Sequence, residues 1–325
     1  MDNLTLFAYS FDTKGGGKLI IENDISCFFK GNEFSWLHLD VKNIDEAKAF
    51  FRKEDANLDS LIMNALLDEE TRPRMVKVQD SALIILRGVN LNTNADPEDM
   101  VSIRLWINEN KIISTCLRQL KAVSDFKLKI QADKGPRNVG DFVFMLIDTL
   151  FSNIEPVLLK LDDETDGIEE LILDNPKVEN LRNDIVTVRK RAIKFRRYMA
   201  PQRDAISQLR MADFKWLSDT HTRHLQESNN QITRYVEDLD VIRERAQIVQ
   251  DELSNILSEK LSKNMYVLSL VAAIFLPLGF LTGLLGINIG GMPGAENPNA
   301  FLIFSFILVV LVGLQIWIFK KLDWL

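Results

Sequence analysis

The chain has 325 residues, of which 26% are charged, and a formal net charge of −7. This length is ample for one or two domains with a real core, and the acidic balance argues against nucleic acid as a partner. Two cysteines, Cys27 and Cys116, fit neither a metal-ligand spacing nor a disulfide framework, which favours a reducing compartment. The N-terminus has no basic region followed by an apolar stretch, so we expect no cleavable signal peptide.

Residues 1–135 alternate strand-like and helix-like segments and predict a first domain of α/β type. Helical periodicity covers Asp45–Lys53 and Leu58–Glu69. Strand patterns cover Leu4–Phe11, Lys18–Ile21, Phe34–Val41, Met75–Gln79, Ala82–Val89, Val101–Asn108 and Ile112–Leu117. The segment contains no Gly-rich phosphate-binding motif and no nucleophile-elbow motif, so we expect neither an enzyme nor a resident cofactor.

Strand patterns end near Val139, and residues 136–220 predict a helical region. We expect helices over 139–174, 176–200 and 202–217, with Pro176 and Pro201 as breakpoints near helix starts.

A heptad pattern of apolar residues then predicts a long stalk helix over 221–263. The first apolar position of the seven-residue repeat is filled by Leu225, Ile232, Leu239, Ala246 and Leu253. The second apolar position, three residues later in the repeat, is filled by Tyr235, Ile242, Val249 and Ile256. Because neither proline nor glycine occurs between Pro201 and Pro277, we expect this helix to continue to Leu285.

Two apolar runs near the C-terminus predict transmembrane helices over 264–286 and 300–319. Met265–Leu285 and Ala300–Phe319 are free of charged residues, and each run is about 30 Å long as a helix, the thickness of a bilayer core. Lysines flank the pair at Lys260, Lys263, Lys320 and Lys321, whereas the connection 287–299 has Glu296 as its one charge. The positive-inside rule places this loop outside and both chain ends, including the tail 320–325, in the cytoplasm.

Two membrane helices are too few to enclose a polar path in one chain, because the bilayer core offers no partners for polar groups. If the protein conducts anything, it therefore does so as an oligomer with the path on the symmetry axis. A membrane-tethered sensor or interaction protein, whose coiled stalk transmits a signal, is the alternative from another class of function.

The segment Gly286-Ile287-Asn288, which closes the first apolar run, resembles the Gly-x-Asn signature of the CorA-type divalent-cation transporters. The middle residue, usually methionine in that family, is isoleucine here. The similarity to this family also includes Phe275–Leu278 and Lys320–Leu325. The isoleucine and the residues Ile289–Gly294 that follow the signature, together with Glu70–Arg74, Leu86–Asn90 and Asp99–Trp106, resemble the ZntB branch of zinc transporters. The resemblance extends over essentially the whole chain.

The resemblance implies an α+β membrane protein that assembles as a homopentameric funnel in the bacterial inner membrane, in contact with lipid. The first membrane helix would line the pore, and the Gly286-Ile287-Asn288 loops would form a ring that meets the hydrated cation. Zn²⁺ is the expected cargo on the strength of the branch, with Mg²⁺, Co²⁺ and Ni²⁺ as alternatives; coupling to protons stays open.

Helical spacing alone predicts which residues of the first span share the pore face: Met265, Leu268 (or Ser269), Ala272, Leu276, Gly279 and Gly283. This stripe is apolar or small and lacks the ligands that would compensate an ion for lost water, so we expect passage of a largely hydrated ion. Five copies of Glu296 could concentrate cations at the outer mouth; a solvated loop carboxylate is the equally weighted alternative.

Two further groups are candidates for metal binding. His221 and His224 stand three residues apart, which puts both on one helix face within reach of a single Zn²⁺, although a solvated pair is the favoured interpretation. The acidic residues between Asp162 and Asp174 could attract divalent ions, and the basic stretch Arg189–Arg197 could pair with these acidic residues. The alternative interpretation is that both stretches are solvent-exposed helix faces.

Overall fold

The computed structural model describes residues 4–12, 14–20, 28–29, 31–53, 58–69, 71–174, 178–286 and 297–322. The chain divides into two compact units, Met1–Gln250 and Asp251–Leu325. The described strands are β1 (Leu4–Phe11), β2 (Gly17–Ile20), β3 (Ser35–Val41), β4 (Arg74–Val78), β5 (Ser81–Gly88), β6 (Val101–Ile107) and β7 (Lys111–Cys116). The helices are α1 (Ile44–Lys53), α2 (Ser60–Leu67), α3 (Lys121–Gln131), α4 (Val139–Asp174), α5 (Val178–Met211), α6 (Asp219–Leu285) and α7 (Ala300–Lys321).

The strands form one mixed sheet in the order β2-β1-β3-β7-β6-β5-β4. Its central pair, β3 and β7, is parallel, with Leu37 opposite Ile113, and the other described pairs are antiparallel. Both strands of the central pair are buried along almost their whole length, which is typical of a sheet covered on both faces. The predicted α/β domain is confirmed.

Alternate residues of β3 point to different helical layers. Leu37 and Leu39 join the core formed with α1 and α2, which includes Phe51 and Leu66. On the other face, the fully buried Trp36 lies edge-on to Phe126 of α3 and Phe142 of α4, with ring centroids 5.6 and 5.0 Å apart. Helix α3 was not among the elements predicted from the sequence, although its buried face is formed by Ala122, Val123, Phe126 and Ile130.

The predicted break at Pro201 is wrong, because α5 runs without interruption from Val178 to Met211 and contains this proline. A proline inside a helix costs roughly 3 kcal/mol, and packing of the helix's apolar face outweighs that cost. Met199 and Ala205, on either side of the proline, are buried. The neighbouring Gln202 also accepts a hydrogen bond of 2.6 Å at Oε1 from the backbone N–H of Arg87 in β5.

The heptad positions of α6 are buried in this single chain as far as Leu253, and Ile256 is half-buried. Leu225, Ile232 and Leu239 are fully buried, and Tyr235 contacts Phe151 of α4 edge-on with ring centroids 5.9 Å apart. Arg196 of α5 pairs with Asp240 at 2.6 Å. Within the first unit, α4 and α5 therefore contribute to covering this seam. The unit boundary after Gln250 lies inside the predicted stalk 221–263, and the finer subdivision into segments stays a prediction.

Three of the described helices, α4, α6 and α7, are long and apolar enough to cross a membrane. In α4 half of the most apolar window is buried, so this helix contributes to the core beside the sheet. The corresponding windows of α6 and α7 have no buried residues. An apolar helix surface left open at spanning length is what a bilayer covers.

The thiol of Cys116, at the end of β7, is fully buried, and this burial raises its pKa far above the usual range. Since the thiolate is the reactive form, we expect Cys116 to resist maleimide in the folded protein and to react once urea unfolds it. Intact-mass spectrometry on a Cys27→Ser variant, which leaves Cys116 as the single cysteine, measures this. Complete labelling within minutes under native conditions would contradict the burial of this strand end.

Candidate functional site

The predicted pore stripe lies on the face of α6 that is directed away from α7. Met265, Leu268 and Leu276 are 68%, 70% and 71% exposed, and Ala272 and Gly283 are also exposed. The half-buried residues of this segment occupy the other side of the helix, against α7: Leu270, Ala273, Ile274, Pro277, Leu278 and Leu281. The single chain thus leaves a spanning-length apolar stripe without a protein partner among the described residues.

Gly279 lies at the border between the two faces. It lines an open apolar groove of about 500 Å³ between α6 and α7, together with Phe275, Thr282 and Val309. The hydroxyl of Thr282 donates to the carbonyl oxygens of Leu278 and Gly279, at 2.9 and 3.1 Å, so the polar atom is satisfied within its own helix. This groove therefore presents apolar surface.

Gly286 follows the last residue of α6, and its N–H donates to the Thr282 carbonyl at 2.9 Å. A Cβ at this position would lie 2.9 Å from the same carbonyl oxygen, so the close backbone approach requires glycine. The other predicted residues of the ion entry, Ile287, Asn288 and Glu296, lie outside the described residues. The described chain resumes at Asn297, whose Oδ1 accepts the N–H of Asn299 just before α7.

His221 and His224 contact different groups of the α4 region. His221 is buried: its Nε2 lies 2.9 Å from Asp141 Oδ1, and its Nδ1 accepts the Ser218 N–H at 3.0 Å. The ring of His224 stacks on Phe144, with centroids 4.5 Å apart. Since both nitrogens of His221 are hydrogen-bonded, this arrangement serves to fix the start of α6; joint binding of zinc by the pair stays a prediction.

The acidic residues of α4 face basic residues of the neighbouring helices. Arg245 of α6 donates to Asp162 at 3.0 Å and to both oxygens of Glu169 at 2.8 and 2.6 Å, and it also pairs with Asp166. Its hydrogen bonds to Glu169 and Asp166 raise the pKa of the guanidinium further above its already high value.

The predicted pairing between the basic stretch and the acidic helix is also present, through Arg191 and Glu164. Across the described ranges, no cluster of three or more His, Cys, Asp or Glu side chains is arranged to hold a metal ion. Four acidic residues of α4 thus link this helix to α5 and α6: Asp162, Glu164, Asp166 and Glu169.

One constellation that the sequence did not reveal lies on the central strands. Ser114 Oγ is 2.7 Å from His38 Nδ1, and His38 Nε2 is 3.2 Å from Asp40. The order resembles that of a serine nucleophile with its base, but Ser114 and His38 are fully buried and Ser114 Oγ accepts the indole N–H of Trp36 at 2.7 Å. No substrate can reach this hydroxyl, so the three side chains form a core hydrogen-bond network.

Comparison with known proteins gives consistent relatives. A family model described as CorA-like Mg²⁺ transporter protein matches residues 31–321. The divalent cation transporter CmaX of Pseudomonas aeruginosa is 37% identical over 98% of this chain and 96% of its own. The zinc transport protein ZntB of Pectobacterium carotovorum is 34% identical over 98% of this chain and 95% of its own.

A solved structure of full-length CmaX superposes with a TM-score of 0.85 at 36% identity, covering 99% of this chain and 98% of that one. Fold, relatives and the matched family model agree over nearly the whole length. The chain therefore belongs to the family of CorA-like divalent-cation transporters.

Proposed function

We propose that this protein carries Zn²⁺ across the bacterial inner membrane through an axial pore that forms when five copies assemble. The observation that supports this most directly is the exposed stripe of α6. A face that is apolar, of spanning length and directed away from α7 is suited to surround an axis shared with other subunits. Two membrane helices in one chain do not enclose such a path alone.

The chemistry of the stripe bears on how an ion passes. Between Asn264 and Ala295 the sequence contains no charged residue, and the stripe offers alkyl groups, glycine and a thioether. Stripping water from Zn²⁺ or Mg²⁺ needs strong oxygen, nitrogen or sulfur ligands in its place. The proposed path therefore passes a hydrated ion, with Leu268 and Leu276 as constrictions that close by dewetting.

Ion entry is proposed at Gly286, Ile287 and Asn288, with Glu296 contributing from the same connection between the two apolar helices. An asparagine oxygen accepts hydrogen bonds from the water shell of a cation without binding the ion itself tightly. Both chain ends are proposed to lie in the cytoplasm, because lysines flank the apolar helices at the ends away from their connecting loop, at Lys260, Lys263, Lys320 and Lys321, and positive charge is enriched on the cytoplasmic side.

Mg²⁺, Co²⁺ or Ni²⁺ is the second candidate cargo. The matching family model carries the name of magnesium, whereas the relatives include both a zinc transport protein and a divalent cation transporter. Uptake of Zn²⁺, Mg²⁺, Co²⁺ and Ni²⁺ into liposomes, each with and without a proton gradient, separates these cargoes and tests coupling to protons.

We expect Asn288→Ala to reduce metal flux in these liposomes at least about tenfold, because the ring of amide oxygens that meets the hydrated ion is lost. Asn297→Ala is the matched control: it removes an amide whose oxygen accepts the N–H of Asn299 just before α7, and its flux should stay near that of the wild type. A pentameric mass in detergent should accompany both variants. A dimer without flux would favour the membrane-tethered sensor instead.

A further inference from the structure

Pro277 leaves one carbonyl of α6 without its usual helical partner. A proline has no backbone N–H, so the hydrogen bond to the residue four positions earlier cannot form. In α6 that earlier residue is Ala273. In a bilayer core water does not compensate for the lost bond, so another protein group has to supply a donor.

The donor comes from the second apolar helix. The side-chain Nε2 of Gln315 in α7 lies 3.4 Å from the Ala273 carbonyl oxygen. Gln315 and Ser305 are the only side chains with an amide or hydroxyl group between Ala300 and Phe319. The other amide atom of Gln315, Oε1, is buried with no hydrogen-bond partner among the described residues. Burying an amide costs free energy unless it is hydrogen-bonded, and the contact with Ala273 offsets part of this cost.

The contact lies directly behind the proposed pore face. Ala273 and Pro277 are half-buried against α7, and each is next in sequence to an exposed residue of the stripe, Ala272 and Leu276. A helix bends most easily where a proline interrupts its hydrogen bonds. A bend at this point moves Leu276 relative to Leu268, the two residues proposed as constrictions.

We propose that Gln315 is a positioning residue for transport: its amide occupies the carbonyl freed by Pro277 and fixes the bend of α6, and thereby the alignment of the stripe. The consequence for flux rests on the proposed function, whereas the consequence for the bend does not. Gln315 itself does not touch the ion.

A double-mutant cycle tests this contact: wild type, Gln315→Leu, Pro277→Ala and the double variant. Alanine at 277 restores the N–H that bonds the Ala273 carbonyl, so Gln315 should then become dispensable. We expect Gln315→Leu to change metal flux by about threefold in the wild-type background, the fold-change that corresponds to the average energy of an interhelical hydrogen bond in membranes. In the Pro277→Ala background the same substitution should have no effect on flux.

A second measurement detects the bend without transport. Spin labels at positions 261 and 284, which are exposed leucines on either side of Pro277, are separated by roughly 35 Å along α6. Labelled subunits are diluted with unlabelled ones, and the distance is measured by pulsed electron paramagnetic resonance. Gln315→Leu should shift or broaden the distance distribution when proline is present and leave it unchanged with alanine at 277.

Ser305→Ala is the matched control, since it removes the other hydroxyl or amide side chain of the same helix; it should leave flux and distance unchanged. Equal effects of Gln315→Leu in both backgrounds would overturn the inference, and so would an unchanged distance distribution in the wild-type background. If the wild type moved no metal but the distance cycle was non-additive, the proposed function would fail while the role of Gln315 in fixing the bend would be supported.

Discussion

Replacing Gly140 with alanine is expected to lower the melting temperature of the protein by roughly 5–10 °C, which corresponds to about 3 kcal/mol for a unit of this size. The new Cβ would lie far inside normal contact distance of Nδ1 and Cε1 of His221. This ring cannot turn aside without cost, because Asp141 and Ser218 hold its two nitrogens. Either the start of α4 or the start of α6 has to shift.

Gly167 offers a control on the same helix, α4. Nothing lies within 4 Å of a Cβ built there, so Gly167→Ala should leave stability unchanged or raise it by about 0.5–1 kcal/mol through helix propensity. Scanning fluorimetry on the detergent-purified protein at one fixed heating rate compares the variants. A Gly140→Ala/His221→Ala double variant should melt above Gly140→Ala alone. Equal melting temperatures for Gly140→Ala and Gly167→Ala would show that His221 does not pack against Gly140 as described.

Replacing Arg245 with glutamine is expected to destabilise the N-terminal unit by about 2 kcal/mol, between the values for exposed and for buried ion pairs. The guanidinium contacts Asp162, Asp166 and Glu169, which lie on successive turns of α4. Glutamine keeps an amide on a shorter chain but leaves three carboxylates facing one another without their cation. The three carboxylates are a third to more than half exposed, so solvent screening keeps the loss below that of a buried pair.

Arg243→Gln is the matched control two residues earlier in α6. Arg243 is more exposed and pairs with Asp240 at 3.3 Å within its own helix, so we expect a change of less than about 0.5 kcal/mol. Because salt screens these charges, the difference between the two variants should shrink at 1 M NaCl. A loss for Arg245→Gln no larger than that for Arg243→Gln would mean that the three contacts contribute little.

Local patterns in the sequence were sufficient for most of the fold. The alternation in β3 and the heptads of α6 report which side of an element is buried, and burial decides how these segments fold. The break predicted at Pro201 was wrong because the free energy that proline costs a helix is smaller than the free energy gained when the helix around it packs. That packing energy depends on the tertiary fold and cannot be inferred from a local sequence pattern. The short α3 was missed although four buried residues mark its face.

The candidate site likewise has features that local sequence patterns predict and contacts that they do not. The exposed stripe follows from helical spacing, and the structure leaves those residues open on α6. Pro277 is visible in the sequence, but the sequence did not identify Gln315 as the partner of the carbonyl that this proline frees. The partners of His221 and Arg245 lie about 80 residues away in sequence, at Asp141 and Glu169 among others, and only the tertiary fold brings them together.

The parallel pairing of β3 with β7 places the end of the sheet at Cys116, whereas the first apolar span begins about 150 residues later. A ribosome adding 5–20 residues per second needs roughly 7 to 30 s to cover that interval, and sheets of this kind form within milliseconds to seconds. The strands can therefore pair, and their buried faces become covered, before any membrane-spanning residue has been made. Biosynthesis separates these two hydrophobic events in time, so the sheet and the spans do not compete for each other's apolar surface.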